Sequence, residues 1–436
     1  MAVLGKMKRV LLVNSNSIDN LDATGITLRS LFLKVDKEKV FEVYWANEVK
    51  THSLSRSTKL SYSKFSFANL LNKTRKTNIN KSIKKNSFDD KHSSQSKFKQ
   101  NLRQYFALYL DSHGIRLNHK LINEIKSFCP EVIYTIGGGV NALKMSLRLS
   151  AKFRIPIVVH HMDNWLHCIQ WENNPLLFFY KRKLRKLCKK VYKRGTIHIC
   201  ISEKMSCDFA KETKREHVSI MNSVSFDEFK IKSVPSCELD AFVFVYAGGL
   251  HLGRESALLN VANQISLYNE SETRKTKRIQ LHIYTSEANI ELYSHLFSNN
   301  KNVFFYKAVD HSDILKVYEK CDALIHVESL SYKESDFFKY SISTKISEYI
   351  ATGKPILFHG PSNIYLYDFL KQNGFALVSS SEKELYSNLI EFNKYKHFVQ
   401  SSKQRELAKN MFDINGAVQK LLIVFENTRI PNGDKK

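Results

Sequence analysis

Two doubly wound α/β domains in tandem are what this sequence predicts, and three observations predict them. Short β-branched or aromatic runs alternate with helix-length segments along most of the chain. The runs are continuously apolar instead of alternating polar with apolar, the pattern of parallel strands buried on both faces. The series breaks off in a looser segment, "FDEFKIKSVPSCELD" at 226–240, and restarts at Ala241. Length agrees: 436 residues, 43% hydrophobic and 12% aromatic, supply two full cores.

In the first series "RVLLVN" leads to a loop ending at Gly25 and a helix near 25–35, and "FEVYW" follows. "EVIYT", "IPIVVH" and "IHICIS" then each precede a helical stretch. The segment "NPLLFFYKRKLRKLCKKVYKRG" places Pro175 at a first helical position after Asn174, and Gly195 stops it. Leu177, Tyr180, Leu184, Leu187, Cys188 and Val191 share one face of that helix, and the other face is almost solid Lys/Arg. The second series runs "AFVFVYAGGL", "IQLHIY", "NVFFY", "ALIHVE", "KPILF" and "FALV". The expected division is a first domain at 1–230, a second at 241–400, and a helical segment at 401–436 that fits either domain or crosses back to the first. Ligand is expected at the carboxyl ends of the strands, in a cleft between the domains.

The net charge of +25 is concentrated. Residues 51–104 hold 13 Lys/Arg against 2 acids and read as a long basic insertion in the first domain, too polar to bury a core. Residues 181–194 hold 9 against none. Such segments ask for an anionic partner or a generous solvated surface, and the basic helix face suits anionic lipid headgroups or polyanions. The seven cysteines are scattered, without Cys-x-x-Cys spacing, so neither a disulfide framework nor a zinc site is indicated, and a reducing cytosol is expected. The opening "MAVLGKMKRVLLVN" runs directly into a strand pattern, and nowhere do 18 apolar residues run together, so the expectation is a chain neither exported nor membrane-spanning.

Polar residues gather where strands end. "VVHHMDNW" sets His160, His161, Asp163 and Trp165 just beyond a buried strand, "ISEKM" brings Ser202 and Glu203, and "VYAGGLHLGRES" brings Gly248, Gly249 and Arg254. "SISTKISEYIATGKPILFHG" reads as a polar turn, one helix, a Gly-Lys-Pro break and a buried strand. The first turn of a helix has unpartnered N–H groups and partial positive charge. Ser343 and Thr344 supply hydroxyls there, Lys345 a full charge, and Glu348 lies one turn on, beside Thr344. Taken alone the turn reads first as an ordinary helix cap. Several such strand ends, all on the side where α/β folds bind ligands, point to an anion site.

The series of Gly25 loop, "EVIYTIGGG", "IPIVVHHMDNW", "CISEKM", "MNSVSFDEF", "YAGGLHLGRE", "ALIHVES" and "STKISEYIATGKPILFHGP" resembles the retaining GT-B glycosyltransferases of family 4 over nearly the whole chain apart from the basic insertion. The most specific part is Glu348 followed by "ATGKPIL". The resemblance implies an α/β, GT-B fold, two Rossmann-like doubly wound domains facing a central cleft. It implies a hexosyltransferase-type enzyme whose nucleotide-sugar co-substrate is held by Gly25, Gly248, Gly249, Arg254, Ser343, Thr344, Lys345 and Glu348. Ser343, Thr344 and Lys345 would face phosphate, Glu348 the ribose hydroxyls, and Arg254 the leaving diphosphate. It also implies retention by front-face attack, with His161 and Asp163 as catalytic residues lining the sugar or acceptor. His161 is preferred to His160 because strand alternation turns His160 to the other face.

Two departures stand out. Tyr340 occupies the position eight residues before Glu348 where the family carries a glutamate, leaving Glu328, Glu334 or Asp336 to supply a carboxylate, and Gly249 stands where an arginine is frequent. No Asp-x-Asp occurs, so neither a metal nor another cofactor is expected. The function expected is transfer of a sugar from a nucleotide-sugar to a growing bacterial surface polysaccharide, O-antigen, capsule or similar, on a lipid carrier. The expected partners are the donor, the glycan or lipid-linked acceptor and an anionic membrane surface. The expected place is the cytoplasm, peripheral at the inner face of the plasma membrane. A nucleotide-sugar epimerase on the same fold is the first alternative. A basic nucleic-acid-binding protein is the second, disfavoured because no helix-turn-helix, RNA-binding aromatic signature or zinc finger is visible.

Overall fold

The computed structural model describes residues 7–20, 22–46, 49, 51–61, 108, 111, 115, 117–165, 167, 177–229, 231, 241–271, 277–310, 312–331, 338–395 and 402–431. The chain divides into two compact units, residues 1–220 with 418–436, and residues 221–417.

The first unit contains β1 (Val10–Val13), α1 (Ala23–Phe32), β2 (Val40–Tyr44), β3 (Arg56–Lys59), α2 (His119–Phe128), β4 (Val132–Thr135), α3 (Val140–Phe153), β5 (Ile157–His161), α4 (Leu177–Tyr192), β6 (Ile197–Cys200), α5 (Glu203–Thr213) and β7 (Glu216–Ser219). They form a seven-stranded sheet of order β3-β2-β1-β4-β5-β6-β7. Every pairing is parallel, β1 meeting β2 at Val10↔Val40 and β4 at Val10↔Val132. Parallel neighbours need crossovers, and the helices covering both faces make the inner strands continuously apolar. All four residues of β1 are fully buried. The edges behave differently: "RSTK" of β3 and "EHVS" of β7 are half-buried or exposed, as edge strands tolerate. Both escape an apolar-run reading, and β3 falls at 56–59, inside the stretch assigned to the basic insertion. Residues 62–104 of that insertion lie outside the described residues.

The second unit contains β8 (Ala241–Ala247), α6 (Arg254–Glu270), β9 (Arg278–Thr285), α7 (Glu287–Tyr293), β10 (Val303–Lys307), α8 (Ile314–Glu319), β11 (Ala323–Val327), α9 (Thr344–Thr352), β12 (Ile356–His359), α10 (Tyr365–Gln372), β13 (Leu377–Ser379), α11 (Glu382–Tyr395) and α12 (Ser402–Phe412). Its six strands run β10-β9-β8-β11-β12-β13, again all parallel. One core packs Val243, Val245, Ile346, Tyr349, Phe358 and Phe369 on one face, and another packs Phe244, Tyr246, Leu258, Val261 and Leu281 on the other. The last helix, α13 (Ile414–Asn427), starts in the second unit and ends in the first, where Phe425 stacks on Phe32 and meets Tyr134 edge-on.

Candidate functional site

In a doubly wound sheet the crevice for ligands opens where strand order reverses, at the carboxyl ends of the two strands that flank the reversal. In the second unit those strands are β8 and β11. The turn after β8 carries Arg254 to the start of α6 through Leu252 at φ 61° and Gly253 at φ 76°. A leucine in the left-handed region stores about 1–3 kcal/mol, so the rest of the structure holds this turn in place. Across the reversal, β11 ends in His326 and Val327 with Glu328 just beyond, and the period of two brings His326 and Glu328 to the same side.

The two sides meet in a buried ion pair. Arg254 Nε donates to Glu328 Oε2 at 3.0 Å and Nη2 to Oε1 at 3.0 Å, a fork-on-fork contact. His326 Nε2 donates to Glu328 Oε1 at 3.0 Å, and the Arg254 guanidinium lies 5.3 Å over the Phe338 ring. Burial alone would raise the Glu328 carboxyl, but Arg254 and His326 outweigh it and hold it at about 2. Burial likewise opposes the charge on Arg254, and Glu328 outweighs it, leaving the guanidinium above its ordinary value. Burial lowers His326.

A second cation comes from α9. Lys345 Nζ sits 5.1 Å over the Tyr246 ring and reaches the exit of β8. A Cβ on Gly248 would run into that Nζ, so a larger residue there would displace the ammonium from its present place. Tyr246 Oη donates to Gly249 O at 2.7 Å and ties down the turn. Burial and the neighbouring Arg254 lower Lys345 to about 8, against the pull of Glu328 and Glu348. Ser343 is the N-cap of α9 and makes no side-chain hydrogen bond to its first turn. Thr344 opens the helix, and Glu348, 7% exposed, accepts from Tyr318 Oη at 3.1 Å. Gly353 at φ 73° ends the helix before Pro355 and β12, the break that "TGKP" predicts. Gly248, Gly249, Arg254, Ser343, Thr344, Lys345 and Glu348 thus belong to one corner of the second unit, two cations beside a helix N-terminus, with a carboxylate one turn in.

The remaining predicted residues lie in the first unit. Gly25 is in the first turn of α1, where its N–H donates to the Asp22 cap at 2.8 Å and a Cβ would stand 2.1 Å from Asn20 O. Close packing of backbone on backbone accounts for this glycine. Asp163 is partly exposed, just past β5. His161 has no exposed surface. Its Nε2 meets Tyr192 Oη at 2.9 Å, Trp165 stacks on it at 5.2 Å, and Phe209 packs edge-on at 4.9 Å. Burial, with His217 and His198 adding to it, pushes His161 well below its ordinary value. A direct contact with sugar would require Trp165 to leave the face of the ring. His160 is equally buried and faces Tyr134 Oη at 2.6 Å.

Reasoning from sequence left His326, Tyr246 and Tyr318 without roles and offered Glu328 only as one of three carboxylates. Glu334 and Asp336, the other two, lie outside the described residues. The available signal was "HVE", an ionisable pair two apart at the end of a buried strand next to the reversal. Asp111 was also missed. Its carboxylate accepts from Val140 N, at the start of α3, and from Tyr180 Oη, both at 2.6 Å, and burial raises it.

No family model matches the sequence, and no curated protein matches it in sequence. Solved structures are similar over almost the whole chain. One is HepE from Anabaena, crystallised with UDP and glucose, at TM-score 0.59 and 12% identity, covering 96% of this chain and 100% of that one. Another is sucrose-phosphate synthase from Thermosynechococcus elongatus, at 0.62 and 9%, covering 96% and 98%. A third is WaaG, a glycosyltransferase involved in lipopolysaccharide biosynthesis, at 0.54 and 10%, covering 96% and 100%. At these identities the likeness is one of architecture, and the architecture of this chain, two doubly wound parallel sheets with flanking helices, is the GT-B fold.

Proposed function

We propose that this protein is a glycosyltransferase of hexosyltransferase type that uses a nucleotide-sugar donor. The observation that carries the reading is the corner at the β8/β11 reversal. A nucleoside diphosphate brings two charged phosphates and a ribose diol, and the corner offers Lys345, Arg254 and the open first turn of α9 to the phosphates, and Glu348 to the diol. Negative charge that grows on the diphosphate as the glycosidic bond breaks is stabilised by donors already in place. Gly248 and Gly249 keep side chains out of the approach. The known proteins with this fold include one solved with UDP and glucose, which favours the same class of ligand here.

The finer reading follows the expectations from sequence except at His161, which its burial behind Trp165 moves from lining the sugar to positioning. The acceptor is a growing bacterial surface glycan on a lipid carrier, met at the inner face of the plasma membrane. Configuration is retained by front-face attack, in which the departing phosphate takes the acceptor proton and no protein nucleophile is needed. Asp163 orients the acceptor hydroxyl, and His161, behind Trp165, positions that segment. Lys345 and Arg254 serve the leaving group in place of a metal. No helix among the described residues is long and apolar enough to cross a membrane, and contact with the bilayer is assigned to the basic face of α4.

A thermal-shift panel of nucleoside diphosphates and their sugars tests the reading, because a ligand at 100 times its Kd adds about 2.7 kcal/mol of stability. One nucleoside diphosphate is expected to stabilise the protein equally with and without EDTA. A panel in which none does overturns the reading, and stabilisation only with added manganese overturns the assignment of the two cations.

A further inference from the structure

The crossovers around β5 lay α3 and α4 side by side, and a groove of about 470 Å³ runs between them. Lys144 and Arg148 of α3 line it, with Lys190 of α4 and Lys193 and Arg194 just past its end. Leu147, Ala151 and Leu187 complete its lining. The cations crowd one another: burial lowers Lys144 to about 8, and Lys183 and Arg148 push in the same direction. Cations interleaved with apolar side chains match an anion that carries hydrocarbon.

The outer face of α4 adds a second, independent observation. Phe178 and Phe179, in its first turn, are 61% and 71% exposed and touch edge to face at 5.7 Å. At 100° per residue they share a side with Arg182, Arg185, Lys186 and Lys189, opposite the buried Leu184, Cys188 and Val191. Two neighbouring phenylalanines left mostly in water forgo much of what burial of an aromatic side chain gains. Aromatic side chains beside Lys/Arg are the composition of a helix lying in a membrane interface.

We propose that this side of the first unit docks on a bilayer, the α3–α4 groove taking the phosphate of one anionic phospholipid while Phe178 and Phe179 enter the boundary between headgroups and acyl chains. The inference rests on the reading that the protein works at a membrane, and it deepens that reading. A charged face alone is drawn to any anionic surface. The groove and the aromatic pair require phosphate with hydrocarbon next to it.

The test is co-sedimentation of the full chain with vesicles of phosphatidylcholine alone or mixed with phosphatidylglycerol, with inorganic phosphate as a competitor. Wild type is expected on the mixed vesicles only, undisturbed by phosphate at the concentration of the lipid headgroups. The groove variant, with Arg148→Gln, Lys190→Gln and Arg194→Gln, is expected to bind at least about tenfold more weakly, since each near-surface cation contributes roughly fivefold. Phe178→Ala with Phe179→Ala is expected to remove the binding that survives high salt, because burial of hydrocarbon is not screened. Failure of wild type to bind any vesicle overturns the membrane reading and this inference together. Wild-type binding with both variants unchanged overturns this inference alone, and displacement by inorganic phosphate shows a site for free anion in place of lipid. The variants alter different residues, so misfolding of one leaves the other as the test.

Discussion

Both units end a central strand in histidine, and the two ends do opposite things. At β5, His160 and His161 are sunk among Tyr134, Tyr192, Trp165 and Phe209, with phenolic hydroxyls as their hydrogen-bond partners. Burial keeps both neutral, His160 at about 3. At β11, His326 stands equally buried but donates to Glu328, which also receives the fork of Arg254. The first end is a polar-tipped core, and the second is a charged network with Lys345 beside it. Residue type and strand position are alike, so a charged partner arriving from a distant segment decides which strand end becomes a charged network.

The largest expected effect breaks the charged end. Glu328→Ala leaves the Arg254 guanidinium buried without its counterion and is expected to cost about 3–5 kcal/mol in denaturant unfolding. His161→Phe keeps an aromatic of similar size and trades one hydrogen bond for the removal of a buried imidazole nitrogen, Nδ1, that has no partner, with an expected cost of about 1 kcal/mol. Equal costs would erase the distinction between the two ends.

Acid sharpens it next. A histidine held below its ordinary value in the folded state contributes stability that is whole above pH 6.5 and is lost as pH falls, at about 1.4 kcal/mol per pH unit for each group. His160, His161 and His198 are all lowered by burial, and His217 is lowered to about 4. The first unit should therefore weaken steeply between pH 6.5 and 5. Glu328, at about 2 against an ordinary 4.5, keeps its contribution until pH falls below 4.5. Trp45 and Trp165 lie in the first unit, and residues 221–417 of the second contain no tryptophan, so tryptophan fluorescence does not read the second unit. His161→Phe should remove about 1.5 kcal/mol of the loss over that range. A tryptophan signal as resistant to denaturant at pH 5 as at pH 7 would contradict the neutral cluster.

Much of this was legible in the sequence, and the illegible parts share a cause. Apolar runs gave away eleven strands, most of them because burial on both faces leaves little room for polar residues, although β9 alternates and the edge strand β10 is half-buried or exposed. The edge strands "RSTK" and "EHVS" carry no such mark, since one side of each meets water. "TGKP" announced the end of α9, where Gly353 adopts a conformation that glycine alone takes easily. Arg254 with Glu328 could not be read, because 74 residues separate them and only the pairing of β8 with β11 brings them together. His161 shows the complementary limit. A histidine at the end of a buried strand looks the same in sequence whether it faces solvent or, as here, Trp165 and Phe209.

A smaller effect concerns Lys345 alone. At about 8 its charge is present at pH 7 and lost as pH rises, so affinity for a nucleoside diphosphate should fall above pH 8 by up to tenfold per unit. Lys345→Arg should flatten that slope, and an affinity that stays level from pH 7 to 9 in wild type would remove Lys345 from the phosphate.

The central claim is that the corner at the β8/β11 reversal holds a nucleoside diphosphate, phosphates on Lys345 and ribose on Glu348. Calorimetric titration of the stabilising diphosphate and its parent nucleoside into wild type, Lys345→Gln and Glu348→Gln tests it most directly. The account predicts that Lys345→Gln weakens the diphosphate about tenfold or more and leaves the nucleoside unchanged, while Glu348→Gln weakens both by about 1–3 kcal/mol. Wild-type affinities for both ligands in both variants would contradict it.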